Sequence, residues 1–411
     1  MPLSRRAFLA ALPAAALAQP GEILPPWQPG QLDLHHISTG RGNATLCLLP
    51  DGTTLMIDAG AQRPTAAQRV YYVPAYPDES RRPGEWLARY AQRHLGRAQL
   101  EGLDHFLLTH FHSDHMGEFE AGLPNSRHGA YKLAGIADLA ESLPIRHLVD
   151  RAWPDYSYPA PLNDPSTRNY REFVRSAMAR GLKVEAFATG SLSQFPLRHA
   201  PTRYPRFEIR NIVANGRLWS GEGTTARDLF PPLSSLTPKD YPSENMCSAG
   251  IRLRYGAFDY YHAGDLCDGS SYGQPAWKDI ETAAAKIVGP VDIALASHHG
   301  YIDSTGPEVV RALKPRAFII HTWDSAHPTM PALHNMLSKE LYSGPRDIFA
   351  TALKPEALVT IRRMNQLASS LGHVVVRVAA GGESWSVFIT SNSDESDRIT
   401  ARFGPYRSSE A

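Results

Sequence analysis

Residues 109–117 read Thr-His-Phe-His-Ser-Asp-His-Met-Gly, an H-x-H-x-D-H run that follows directly on the apolar strand-like Phe106-Leu107-Leu108. Three imidazoles and a carboxylate within six residues are donors of the sort that Zn²⁺, Mn²⁺ or Fe²⁺ accept. His110, His112 and Asp114 alternate, so an extended loop sends them to one side and His115 to the other. Two His can hold one metal, and Asp plus His a second, about 3.5–4 Å away. The competing account is a solvated His-rich loop. With 17 His in 411 residues, and Asp at about one in twenty, the pattern arises by accident about once per thousand such chains.

A metal site of this kind needs further donors from elsewhere, and 411 residues supply ample core to bring them together. The balance of 42 Lys+Arg against 41 Asp+Glu, a formal charge of +1, argues against a protein that coats nucleic acid. No dedicated nucleic-acid-binding motif is found either. Cys47, Cys247 and Cys267 are too few for a disulfide framework, and their odd number leaves one free. No run is long and apolar enough to give a stable membrane span.

The chain opens MPLSRRAFLAALPAAALAQP. Arg5-Arg6, a short apolar stretch and Ala16-Leu17-Ala18 make a charged region, a hydrophobic region and a cleavage signal. Ser4–Leu9 resembles a twin-arginine signal, which implies the twin-arginine export machinery as a partner and a periplasmic or extracellular location. The expected division is a signal peptide at 1–18, one domain over 19–395 and a polar tail at 396–411.

Strand-like runs fall at Leu32–Ile37, Ala44–Leu49, Thr54–Ile57, Ala249–Tyr255, Tyr260–Ala263, Ile293–Ala296 and Ala317–Ile320. His373–Val378 and Ser384–Ile389 read as a closing hairpin around Gly381-Gly382. Helical spacing occurs at Glu85–Leu95 and near Asn169–Arg180. Strands alternate with helices throughout, so the class is α/β or α+β, with sheets covered by helices. The stretch 120–245 is Pro-broken and reads as insertion-rich.

The H-x-H-x-D-H run resembles the signature of the metallo-β-lactamase superfamily, and other motifs agree with it in order. Gly40-Arg41-Gly42-Asn43, Met56-Ile57-Asp58-Ala59-Gly60, Asn245-Met246-Cys247-Ser248, His262-Ala263-Gly264-Asp265, Ser297-His298-His299-Gly300-Tyr301 and Ala326-His327-Pro328 are similar to those of the hydrolase domain of the competence DNA-uptake channel and its free-standing relatives. Tyr301 and Ala326 depart from that pattern. The resemblance implies a four-layer αββα sandwich with insertions, and one or two divalent metal ions, zinc or manganese. It implies His110, His112, Asp114 and His115 as ligands, Asp265 as a carboxylate bridging both metals, and one of His298 and His299 completing the second. Asp58 and Asn245 would support the ligands from behind. His327 would line the pocket and contact substrate or protonate the leaving group.

Many such proteins supply a third His to the first metal. Here the interval offers His128, His147, His199 and His262, none in a recognisable motif. His321 and the pair His35-His36 are expected to be structural. The ligands imply an enzyme in which Asp114 orients a metal-activated water, with no Ser or Cys nucleophile. The expected substrate is a small-molecule or polymeric ester. A phosphodiester leads, in nucleic acid or a phosphorylated envelope group, with Arg41, Arg203, Arg206 and Arg210 as candidate contacts. A carboxylic ester, lactone or β-lactam comes next, and a non-catalytic metal-binding protein is the third reading.

Overall fold

The computed structural model describes residues 18–269 and 273–409. Apart from Ala18, the segment read as an export signal lies outside the described residues. The first sheet begins with β1 (Leu32–His36), β2 (Thr45–Leu48), β3 (Thr54–Ile57), β4 (His105–Leu108), β5 (His147–Asp150) and β6 (Lys183–Ala186). The second holds β7 (Phe207–Ala214), β8 (Arg217–Trp219), β9 (Ala226–Asp228), β10 (Gly250–Tyr255), β11 (Phe258–His262), β12 (Ile293–Leu295), β13 (Ala317–Ile320) and β14 (Asp347–Ala350). The chain then returns to the first sheet as β15 (His373–Val378), β16 (Ser384–Thr390) and β17 (Ile399–Arg407). The strand orders are β17-β16-β15-β1-β2-β3-β4-β5-β6 and β14-β13-β12-β11-β10-β7-β8-β9.

Local chemistry sets these elements. Asp51 Oδ1 accepts from Thr53 N at 2.9 Å, and Gly52 takes a φ of 90°, so Asp51-Gly52 turns β2 into β3. Helix α1 (Pro83–Arg97) opens on a proline, with Glu85 accepting from Arg82 N. The single-turn α2 (Ser113–Met116) follows β4, and α3 (Ile136–Ser142) precedes β5. Asp164 caps α4 (Pro165–Met178), and Asp279 caps α5 (Ile280–Val288). The remaining helices are α6 (Pro307–Leu313), α7 (Met330–Leu337) and α8 (Pro355–Thr360).

The buried side chains sort into layers. Leu34, Ile57 and Leu107 of the first sheet meet Ile251, Tyr260 and Ile319 of the second. On its other face the first sheet packs Leu46, Met56 and Phe106 against Leu87 and Tyr90 of α1 and Phe173 of α4. The second sheet packs Phe318 and Ile320 against Ile280 and Ala284 of α5 and Val310 of α6. Two sheets face to face with helices on both outer surfaces give the expected four-layer αββα arrangement.

Two expectations change. The polar tail at 396–411 is largely strand β17, at the edge of the first sheet. Its apolar residues are few: Ala401 and Phe403 pack between the sheets, and Ile399 packs with Val375 and Phe388 on the other face, so composition alone hides it. The stretch 120–245 is no mere insertion. It supplies α3, β5, α4 and β6, the two strands forming one edge of the first sheet, then crosses to build β7–β9 of the second.

Candidate metal centre

Strands β3 and β4 run parallel in the first sheet, as do β11, β12 and β13 in the second. Each releases a chemically loaded segment at its carboxyl end: Asp58, His110–His115, Asp265, His298-His299 and His321–His327. These loops converge at one end of the sandwich, the usual location for a site built on parallel strands.

Two donor groups form there. Asp114, His115, Asp265 and His299, all buried, place one ligand atom each within 4.8 Å of one another. His110, His112 and Asp265 make a second such group, in which His112 is exposed. Asp265 belongs to both. His299 Nε2 lies 2.8 Å from Asp114 Oδ2 and 3.5 Å from Asp265 Oδ2. His115 Nε2 lies 3.1 Å from Asp265 Oδ1, yet neither atom makes a hydrogen bond of good geometry, so both point toward a shared space. His110 Nε2 and His112 Nδ1 are 3.2 Å apart. Two nitrogens bound at about 2.05 Å to one tetrahedral ion would stand about 3.3 Å apart. The buried donors fit a metal ion.

The surrounding contacts fix which nitrogen each ring offers. The His321 carbonyl can only accept, so His299 Nδ1, 3.0 Å away, donates to it and Nε2 is the nitrogen turned toward Asp114 and Asp265. His115 Nδ1 faces Asp58 Oδ2 at 2.7 Å. Thr109 Oγ1 donates to Asp58 Oδ2 at 2.9 Å and can accept from His110 Nδ1 at 3.2 Å. Asp58 therefore sits behind the ligand loop and, with Thr109, orients it, as expected of such partners.

Electrostatics agree with this assignment. Burial works against a charge on His115 and His299, but the carboxylates of Asp265, Asp58 and Asp114 hold His115 well above its ordinary range. Asp265 and Asp114 push His299 up to about 9. Burial would raise Asp265 and Asp114, yet the facing imidazoles hold both below the usual carboxylate range. Without an ion, protons on the two rings balance carboxylates that a divalent cation would otherwise neutralise.

Asp114 does not share a side with His110 and His112. The backbone is extended at His112, with φ −80° and ψ 155°, then turns helical from Ser113. That turn swings Asp114 and His115 together into the other donor group. His299, not His298, joins the centre. His298 is held between Asp303, at 2.6 Å, and Asn245, at 3.1 Å, so Asn245 supports a non-ligand. His298 and His299 both take left-handed backbone, with φ of 45° and 56°. His327 stacks on His299 with ring centroids 4.5 Å apart, and its Nδ1 is buried without a partner. Burial and the neighbouring His299 hold its pKa well below the ordinary value, so the ring is neutral.

None of the four candidate third ligands reaches the donor groups. His128 is exposed, His147 contacts His105, His199 lies near Asp104, and His262 is buried apart from them. The His321 and His36 rings join neither donor group: that of His321 meets Thr45 at 3.2 Å and that of His36 is bonded to Tyr260. None of the four arginine candidates, Arg41, Arg203, Arg206 and Arg210, lines the metal pocket. That pocket, about 450 Å³, is bordered by Asp114, Asp265, His299, His327, Trp323 and Gln62. Trp323 and Gln62 carry no sequence signal of their own. No protein-family model matches the chain, and no curated protein matches it.

Proposed function

We propose that this chain is a metal-dependent hydrolase of metallo-β-lactamase type that cleaves a phosphodiester with an activated water. The observation that carries the reading is the sharing of Asp265 between two donor groups, with His110 and His112 on one side and Asp114, His115 and His299 on the other. Imidazole and carboxylate without thiolate suit zinc or manganese, and the three cysteines are buried and free. When bound, the ions supply Lewis acidity and an activated water. Asp114 orients the water, whose oxygen forms a new bond to phosphorus as the bond to the leaving oxygen breaks. A site carboxylate takes the water's proton. His327, neutral and unpartnered at Nδ1, is placed to hydrogen-bond a substrate oxygen and to relay that proton, gaining it at one ring nitrogen as the other gives one to the leaving oxygen.

Among the described residues no third imidazole joins the His110–His112 group, which favours phosphoryl over carbonyl substrates. A phosphoryl group brings two non-bridging oxygens to help fill both positions, whereas a carbonyl brings one. The experiment is metal analysis by emission spectroscopy, with kcat/KM for bis-(p-nitrophenyl) phosphate, a p-nitrophenyl ester, nitrocefin and an acyl-homoserine lactone on Zn²⁺- and Mn²⁺-loaded protein. A carbonyl substrate faster by more than about tenfold, or about 1.4 kcal/mol of transition-state stabilisation, rejects the phosphodiester reading. Metal bound with no turnover of any substrate favours a binding protein. Export is proposed on Arg5-Arg6, the apolar stretch after it and Ala16-Leu17-Ala18: Lys-Lys at positions 5 and 6 should retain unprocessed protein in the cytoplasm, and normal processing would remove the proposal.

A further inference from the structure

Gln62 borders two cavities. One is the metal pocket, and the other is a groove of about 650 Å³ lined by Thr39, Arg41, Arg63, Trp86 and Phe119 among others. Each volume is in the range of a small-molecule site. The two cavities adjoin at Gln62, so an arm of a ligand held at the metals can run past it into the groove. Two oxygens on this path lack partners: Gln62 Oε1, in a residue 9% exposed, and Thr39 Oγ1, in a residue 3% exposed. A stranded polar atom of this kind is a standing cost to the fold until a donor meets it.

The groove's charge narrows what that donor belongs to. Five arginines and four glutamates line it. Glu79 takes both Arg41 and Arg69, Glu120 takes Arg63, and Asp138 takes Arg82 at 2.8 Å. Arg81, the fifth, lies over the Trp86 ring. Arginines already matched to carboxylates do not track a run of phosphates, which needs unpaired cations along the strand. An uncharged arm with hydroxyl or amide N–H groups suits the two free oxygens and the balanced walls.

We infer that the substrate carries a single phosphodiester at the metals and a neutral, hydroxyl- or amide-bearing arm in the groove beyond Gln62, a sugar-type arm rather than a nucleic-acid strand. This rests on the phosphodiester reading above. The test is calorimetric titration of metal-loaded protein with N-acetylglucosamine 6-phosphate, inorganic phosphate and hexathymidylate at several salt concentrations. Wild type should bind the sugar phosphate at least tenfold more tightly than inorganic phosphate. Hexathymidylate should be the weaker ligand, with a shallow salt slope. In Gln62→Ala the ratio of sugar-phosphate to inorganic-phosphate affinity should fall about tenfold. Thr39→Val, nearly isosteric, should lower that ratio about threefold and stands in if Gln62→Ala misfolds. No preference for the sugar phosphate, an unchanged ratio in both variants, or tight hexathymidylate binding with a steep salt slope overturns the inference. Failure to hydrolyse bis-(p-nitrophenyl) phosphate with the sugar-phosphate preference intact removes the catalytic reading and leaves the binding arm standing.

Discussion

His298 and His299 are sequence neighbours thrown in different directions by two consecutive left-handed residues. Each such conformation costs about 1–2 kcal/mol for a side-chain-bearing residue. The strain is held by what the two rings reach: Asp303 and Asn245 for His298, the donor group and the His321 carbonyl for His299. His299→Ala should therefore lose about one metal equivalent per chain, whereas His298→Ala should keep its metal. Emission spectroscopy on dialysed protein reads the difference, and equal metal loss in both would mean the assignment is wrong. Which histidine points inward was not legible in the sequence, because the pair Ser-His-His-Gly does not announce a left-handed backbone. The same limit applies at Asp114 and His115. Alternation of side chains holds only while the chain is extended, and it stops being extended at Ser113.

At the scale of elements, the turns around the ligand loop are as constrained as the ligands. Asn43 N donates to Asp114 O at 2.7 Å and Ala59 N to His115 O at 2.7 Å, so the segments after β1 and β3 grip α2 by its carbonyls. A Cβ added at Gly60 or Gly42 would fall inside the van der Waals envelope of the Asp114 carbonyl oxygen. Gly60→Ala should push Asp114 out of place and weaken metal binding at least tenfold in a chelator competition, with the far-UV circular dichroism retained. Unchanged affinity would show that the loop yields freely. These glycines were visible as motif members, but their reason, close approach to one carbonyl, is tertiary. The edge strand β17 was missed because its apolar residues are few, and its tether shows only in space. Asp397, just before it, meets Arg93 at 2.9 Å, Arg97 at 3.0 Å and His94 at 3.2 Å on α1. Burial alone would raise the Asp397 carboxyl, but the bonds from His94 and Arg93 hold it well below the usual carboxylate range. A depressed folded pKa gives stability that is present above the unfolded value near 4 and fades as pH falls below it. Arg93 and Arg97 keep 21% and 29% of their side-chain surface exposed. Asp397→Asn should then cost about 2 kcal/mol at pH 7, less than the 3–5 kcal/mol of a fully buried pair. Urea unfolding should show that gap closing between about pH 4 and pH 2. A gap independent of pH would assign the effect to packing.

For the whole molecule, the strand pattern was readable because most strands carry dense runs of Val, Ile, Leu and aromatic residues, as in Ala317–Ile320, His373–Val378 and Ser384–Thr390. The crossing from β6 to β7 was not, since Pro-rich connections between 187 and 206 look like the interior of an insertion. At the site end the donor cluster spans the two sheets, alongside bonds such as Ala249 N to Thr109 O: His110–His115 come from the first sheet, Asp265 and His299 from the second. A metal ion held there ties both halves of the sandwich, so its binding free energy adds to the stability of the folded chain. At free metal a hundredfold above its dissociation constant, the gain is about 2.7 kcal/mol. With an unfolding entropy of about 2.1 cal/mol/K per residue, a chain of 411 residues converts this to a Tm difference of about 3 °C. Calorimetry with and without EDTA should show that decrease in wild type. Asp265→Asn, which removes the carboxylate common to both donor groups, should unfold at the same temperature with or without EDTA. A wild-type Tm insensitive to EDTA would mean that no ion bridges the sheets. A shift that persists in Asp265→Asn would place the stabilising ion somewhere other than this cluster.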